Sequence, residues 1–243
     1  MSKKREDNSQ FNYRPRPNNP NNVLGISFSH NPEQKELIRL MNEEGRPVIF
    51  CTGDAGTGKT FTALVAALGL VFDKKYRKIF YIREPLEVGK SLGFLPGDIG
   101  EKYGVYLDGL NDNLEHICDN NKSLNVNNLK TLIECIPPQF VRGRSFENAI
   151  LLVDEAQNLS LDTIHTLMTR IGKFCKIVFM GSMNQIDIRG KTAENNDFMT
   201  AYEIVKDLDD IVGYVRLIKS ERSEYCKLLD EAFTNYKYAK RGV

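Results

Sequence analysis

The stretch Val48–Phe72, "VIFCTGDAGTGKTFTALVAALGLVF", decides how the rest of the chain is read. It opens on a continuous apolar run, passes through a glycine-rich turn and closes on a long apolar segment. An uninterrupted greasy run of five or six residues is the pattern of a strand buried on both faces, and the longer segment after it reads as a buried helix. Between them "GDAGTGKT", Gly53–Thr60, matches G-x-x-x-x-G-K-[ST] in full, and its strand–turn–helix context is the one this motif needs. Gly53, Gly56 and Gly58 let the backbone wrap closely around phosphate oxygens, and the freed amides of the loop and helix N-terminus attract an anion. In this reading Gly53, Asp54, Ala55, Gly56, Thr57 and Gly58 form the phosphate cradle. Lys59 reaches the β- and γ-phosphates, and the Thr60 hydroxyl ligates Mg²⁺.

Working outward, the flanking sequence alternates between strand and helix. "NPEQKELIRLMNEEG" places Leu37, Ile38 and Met41 at helical spacing, with Gly45 as the expected C-cap. "KIFYIRE", "NAILLVDE", "CKIVFMG" and "IVGYVRLI" read as strands. "SLDTIHTLMTRIG", "DFMTAYEIVKDL" and "RSEYCKLLDEAFTNYKYA" read as helices. This alternation predicts an α/β fold, with a mainly parallel sheet covered on both faces and functional loops at the carboxyl ends of its strands. Residues 84–147 are richer in Gly, Pro and Asn. They are expected to form an irregular insertion, mostly loop, with short helices in "DGLNDNLEHICD" and "VNNLKTLIE".

With 243 residues the chain suits one such domain. The expected organisation is a disordered polar tail over 1–29, a single domain over 30–238 and a short tail over 239–243. The tail carries Lys3, Lys4, Arg5, Arg14 and Arg16, which suit either nucleic-acid contact or simple solvation. The net charge of +1 gives no global basic field. Five cysteines without a CxxC pair, and three scattered histidines, read as ordinary residues rather than metal ligands. The sequence shows neither a signal peptide nor a membrane-length apolar run, so a cytoplasmic protein without membrane partners is expected.

Two further motifs complete a site. The strand "NAILLVDE" ends in Asp154 and Glu155. The first is read as the Mg²⁺ ligand, the second as the general base that polarises the attacking water. "MGSMNQID" places Gln185 after another strand, as a sensor of the γ-phosphate or of that water. Arg142, Arg144, Arg170 and Arg222 are candidates for neutralising transition-state charge. For Arg170 the alternative is a helix C-terminus, and for Arg142 and Arg144 it is RNA phosphates. Lys90, Phe94, Lys102, Tyr103 and Tyr106 suit either a base-stacking surface or a small local core.

Several of these motifs occur in an order that resembles the PhoH-like proteins. They are "GDAGTGKT", "VGKSLGFLPGDIGEKYGVYLDGL", "VRGRSFENAILLVDEAQN", "LMTRIG" and "MGSMNQID". The resemblance runs from about Pro32 to Tyr236. It implies a P-loop NTPase core related to RecA and superfamily-one helicases, ATP with Mg²⁺ as ligands, hydrolysis, assembly into a ring (a hexamer) and action on single-stranded RNA. If the chain is phage-encoded, its compartment is the host cytoplasm. The resemblance adds Gln34, whose family counterpart reads the adenine edge; a polar residue on a surface helix is the alternative. Two positions depart from the family pattern. Ser182 stands where members carry an acid, which predicts slower hydrolysis or altered coupling, and "KSERSEYC" retains only Arg222 of the usual C-terminal motif. One RecA-like lobe holds only one wall of a two-lobed site, so a neighbour is expected to supply the other, with at least one arginine acting in trans. The competing expectations are a nucleotide-gated scaffold with little hydrolysis, and a component of an RNA helicase or ribonuclease.

Overall fold

The computed structural model describes residues 19–85, 107–182, 196–226, 228, 229 and 232. Gln185, the aromatic and basic residues of 90–106 named above, and the basic residues of the first 18 positions lie outside the described residues.

Six strands form one wholly parallel sheet. They are β3 (Val48–Gly53), β4 (Lys78–Arg83), β5 (Ile133–Ile136), β6 (Ala149–Asp154), β7 (Lys176–Gly181) and β8 (Val212–Leu217). Their spatial order is β5-β4-β6-β7-β3-β8. β7 therefore lies between β3, which leads into the glycine loop, and β6, which ends in the two carboxylates. Alternate residues serve opposite cores, as the pleat requires. Ile49, Cys51, Ile150, Leu152, Val178 and Met180 face one core. Phe50, Leu151, Val153, Ile177 and Phe179 face the other. The first core is covered by α1 (Pro32–Asn42), α2 (Lys59–Phe72), α3 (Asp108–Asn120) and α4 (Val126–Thr131), and the second by α5 (Leu161–Met168) and α6 (Asp197–Val205). Covering on both faces explains why β3, β6 and β7 are buried at every position.

Three boundaries differ from the sequence expectation. The folded chain begins before His30: β1 (Asn22–Val23) and β2 (Ile26–Ser27) form a small hairpin whose Val23, Leu24, Ile26 and neighbouring Phe28 are buried in the first core. The segment "VNNLKTLIE" is not one helix. α4 stops at Thr131, and "IECI" becomes edge strand β5 because pairing with β4 outweighs its weak helical pattern. α1 is capped by Glu43, whose amide bonds back to the carbonyls of Arg39 and Leu40, so Gly45 lies beyond the cap. Buried Lys176 at the start of β7 holds this end of α1 in place. Its Nζ donates to the carbonyls of Leu40, Glu43 and Arg46, and burial pushes its pKa down to about 8. Among the described residues no helix is long and apolar enough to cross a membrane.

Candidate functional site

The glycine loop leaves the carboxyl end of β3 and delivers the chain into α2. Gly58 caps α2 in a left-handed conformation (φ 82°) and supplies no side-chain cap, so the first-turn amides of α2 remain available to an anion. The loop is braced from two sides. Thr57 Oγ1 donates to the Asp54 carbonyl at 2.9 Å, and Gln34 Nε2 donates to the Thr57 carbonyl at 3.1 Å. Gly53 is required by close approach: a Cβ there would stand 2.5 Å from the Leu217 carbonyl oxygen of neighbouring β8. Gly53→Ala is therefore expected to push β8 from β3 and cost about 1–3 kcal/mol of stability, measured by urea unfolding. Lys59 curls over the loop, donating to the carbonyls of Gly53 (2.7 Å) and Asp54 (2.9 Å). Burial lowers its pKa, while the negative charges of Glu155, Asp154 and Asp54 act the other way. The result is an ammonium group with little competing water, held where phosphate oxygens would enter.

The carboxylates come from the end of β6. Asp154 is 5% exposed and accepts three approaches. Thr60 Oγ1 donates to its Oδ1 at 2.8 Å, the Tyr81 hydroxyl donates to its Oδ2, and Arg83 Nη1 lies 3.8 Å from that same oxygen. Burial, reinforced by Asp154, raises the Tyr81 pKa well above its ordinary value and keeps the phenol a proton donor. Arg83 stays charged: burial opposes its charge, but Asp154, Tyr81 and Glu155 outweigh it and raise its pKa.

Glu155 adopts a left-handed backbone conformation (φ 52°, ψ 41°) that turns the chain out of the sheet. This is a strained position for a glutamate. Its Oε2 accepts from Gln157 Nε2 at 2.5 Å, and Gln157 Oε1 accepts from the Ser182 amide at 2.9 Å. Gln157 thus ties the second carboxylate to the end of β7. Burial raises the Glu155 pKa, with Asp154 adding to the rise. A carboxyl shifted toward neutrality is suited to accept a proton near physiological pH.

Mg²⁺ fits these residues. Among the described residues no cluster of three or more His, Cys, Asp or Glu forms an all-protein cage. The Thr60 hydroxyl and Asp154 carboxylate are instead a small hard-oxygen pair beside a phosphate loop. Mg²⁺ bound together with substrate phosphates and water uses a set of this kind.

The remaining sequence candidates divide by place. Gln34 is 3% exposed and braces the loop, and it also lines a cavity of about 610 Å³ beside Gly56, Gly58, Phe28, Phe61 and His116. Arg222 lies over the loop of its own chain, where a Cβ on Gly56 would meet its side chain at 2.4 Å. Its segment is anchored by Glu221, whose amide donates to the Gly56 carbonyl at 2.8 Å and whose carboxylate accepts from Asn31 Nδ2 at 2.6 Å. The other arginines are not brought to this loop. Arg144 bonds Glu134 on edge strand β5, with β4, β6 and β7 lying between β5 and β3. At the usual strand spacing that separation is about 19 Å. Arg142 is exposed nearby. The Arg170 carbonyl accepts from the amide of Phe146, at the amino end of β6. It therefore sits about 20 Å, one strand length, below the carboxylates. Among the described residues Arg144 and Arg170 are thus held by partners away from the loop. Sequence reasoning missed Tyr81, Arg83, Gln157, Asn31 and Glu221; the Tyr-x-Arg spacing on β4 puts both side chains on one face, but only the strand register sets that face beside Asp154.

The family model for PhoH-like protein matches residues 28–234, which takes in the loop, both carboxylates and the Arg222 segment. The chain belongs to the PhoH-like family. It is 36% identical over 202 residues to Protein PhoH2 of Bacillus subtilis, covering 82% of this chain and 46% of that protein. It is 32% identical over 211 residues to Protein PhoH of Escherichia coli K12, covering 83% and 57%. A PhoH-like protein of Mycobacterium bovis is 30% identical over 201 residues, covering 82% and 56%. This PhoH-like chain spans about half the length of these curated relatives. Its P-loop NTPase fold and its family together support nucleotide binding at the loop.

Proposed function

We propose that this chain is an ATPase that hydrolyses Mg²⁺-bound ATP at the Gly53–Thr60 loop. One observation carries the reading: the Thr60 hydroxyl meets the Asp154 carboxylate at 2.8 Å, next to Lys59 and a half-buried Glu155. The loop amides and Lys59 hold the phosphates. Thr60 and Asp154 hold Mg²⁺, which when bound offsets charge on the phosphate oxygens. Glu155, fixed by Gln157, accepts the proton of the attacking water. A side chain cannot do this without a fixed orientation, and the Gln157–Ser182 bridge provides one.

The proposal extends to assembly. A single sheet offers one wall to the nucleotide, and Arg144, bonded to Glu134 on edge strand β5, stands strands away from β3 and its own loop. A closed ring, a hexamer, with Arg142 or Arg144 acting in trans fits both facts. Specific activity should then rise with protein concentration, and sedimentation with ATP and Mg²⁺ should show an assembly. Activity independent of concentration together with a sedimenting monomer excludes the ring. Arg144→Ala should lower turnover in the assembly without weakening ATP binding. Single-stranded RNA as the partner rests on the family resemblance, and the cytoplasm is the compartment in which we place it. Gel-shift and strand-separation assays with labelled single-stranded and duplex RNA, with and without ATP, separate an RNA-acting ATPase from a nucleotide-gated scaffold.

A further inference from the structure

β4 carries two residues that the mechanism above leaves without a role, and both point at the same carboxylate. In the register of the sheet Arg83 sits directly beside Asp154. Tyr81, two residues earlier and on the same face, is fully buried, yet its hydroxyl donates to Asp154 Oδ2. The ring itself packs in the first core. A phenol buried this completely carries a desolvation cost that its hydrogen bonds, to Asp154 and with Arg83, offset.

The two oxygens of Asp154 are thereby distinguished. Oδ1 faces Thr60 and the loop. Oδ2 is held from behind by Tyr81, with the Arg83 guanidinium 3.8 Å away. Hydrogen bonds from behind orient ligating groups and tune their basicity. Without the phenol, the carboxylate is free to rotate and close the 3.8 Å gap to Arg83. The existing ion pair, tightened in this way, would compete directly with a metal for the carboxylate's lone pairs.

We propose that Tyr81 is a positioning residue for the metal site: its hydroxyl locks the Asp154 carboxylate with Oδ1 toward Thr60 and keeps it from collapsing onto Arg83. The assignment rests on the magnesium–nucleotide reading of the loop. It makes the strand after α2 a working part of the site.

The test is Tyr81→Phe, which keeps the ring in the core and removes only the hydroxyl. Thermal unfolding checks that the variant folds. Mn²⁺ in the presence of ADP is titrated by electron paramagnetic resonance on both proteins, and ADP affinity is measured separately in EDTA. Mn²⁺ affinity should fall by about 10- to 100-fold, while metal-free ADP affinity stays within about threefold. The Mg²⁺ concentration for half-maximal turnover should rise in parallel. Unchanged Mn²⁺ affinity overturns the assignment, and so does an equal loss of metal-free ADP affinity, which would mean a collapsed site rather than a misplaced carboxylate. If the wild type itself binds ADP but no Mn²⁺, the underlying magnesium reading fails, and that outcome is distinct from a variant indistinguishable from a metal-binding wild type.

Discussion

Glu155→Gln should bind ATP and scarcely turn it over. The substitution keeps the side chain's shape and an oxygen able to accept from Gln157, but removes the lone pair that takes the proton from water. Loss of a positioned general base costs roughly 10²–10⁴-fold in rate. In the proposed mechanism the loop amides and Lys59 hold the phosphates, and the change does not touch them, so ATP affinity should stay within a few-fold of wild type. Single-site titration with a fluorescent ATP analogue, beside steady-state phosphate release, checks both halves. A variant that retains turnover removes Glu155 from the role.

The same variant carries a stability signature. Burial raises the Glu155 pKa above its ordinary 4.5. The folded protein therefore holds this proton more tightly than the unfolded chain. The favourable contribution is fully present below 4.5 and is lost as pH rises through the raised value. At neutral pH the wild type bears a partly desolvated charge that glutamine does not carry. Glu155→Gln should thus melt higher than wild type at pH 7.5, and the gap should narrow toward pH 4.5. Functional groups retained at a cost to stability commonly behave this way. Thermal melts across that pH range test it.

Lys59→Ala should give the complementary phenotype: the fold persists and ATP binding is weakened. Its ammonium group is largely withdrawn from water and bonds two loop carbonyls, Gly53 and Asp54. An incoming triphosphate offers it charged acceptors in place of neutral ones. A hydrogen bond to a charged group contributes about 1.5–3 kcal/mol. Its loss therefore lowers ATP affinity by roughly 10- to 150-fold. Circular dichroism should be unchanged, because α2 is packed by its apolar residues and not by Lys59. Affinity within twofold of wild type would show that the phosphates do not lie against this loop.

The parts of the fold legible in sequence were those buried on both faces. β3, β6 and β7 sit inside a parallel sheet, and so each six-residue strand is written around a run of four or five apolar residues. Edge strand β5 is short and half-buried, so its four residues merge with the helix before them, and the β1–β2 hairpin is shorter still. The site divides in the same way. The loop and the carboxylates form contiguous motifs whose chemistry is local. Tyr81 and Arg83 have meaning only once the register sets β4 beside β6, and Glu221 only once the chain end folds back on Gly56. Pairings between segments so far apart in sequence leave no mark on periodicity. Arg144 shows the reverse case: it was a candidate for the site, and the connection from β5 to β6 bonds it to Glu134 on the far edge of the sheet instead.

The central claim is that the Gly53–Thr60 loop and the Asp154–Glu155 pair together make a hydrolytic centre. Multiple-turnover phosphate release from ATP by the full chain, with Mg²⁺ and with EDTA, tests it most directly. The account predicts many phosphates released per chain with Mg²⁺, none above background with EDTA, and release slowed by roughly 10²–10⁴-fold with Glu155→Gln. Release that stops at one phosphate per chain or less, or that continues unchanged in EDTA, would contradict it.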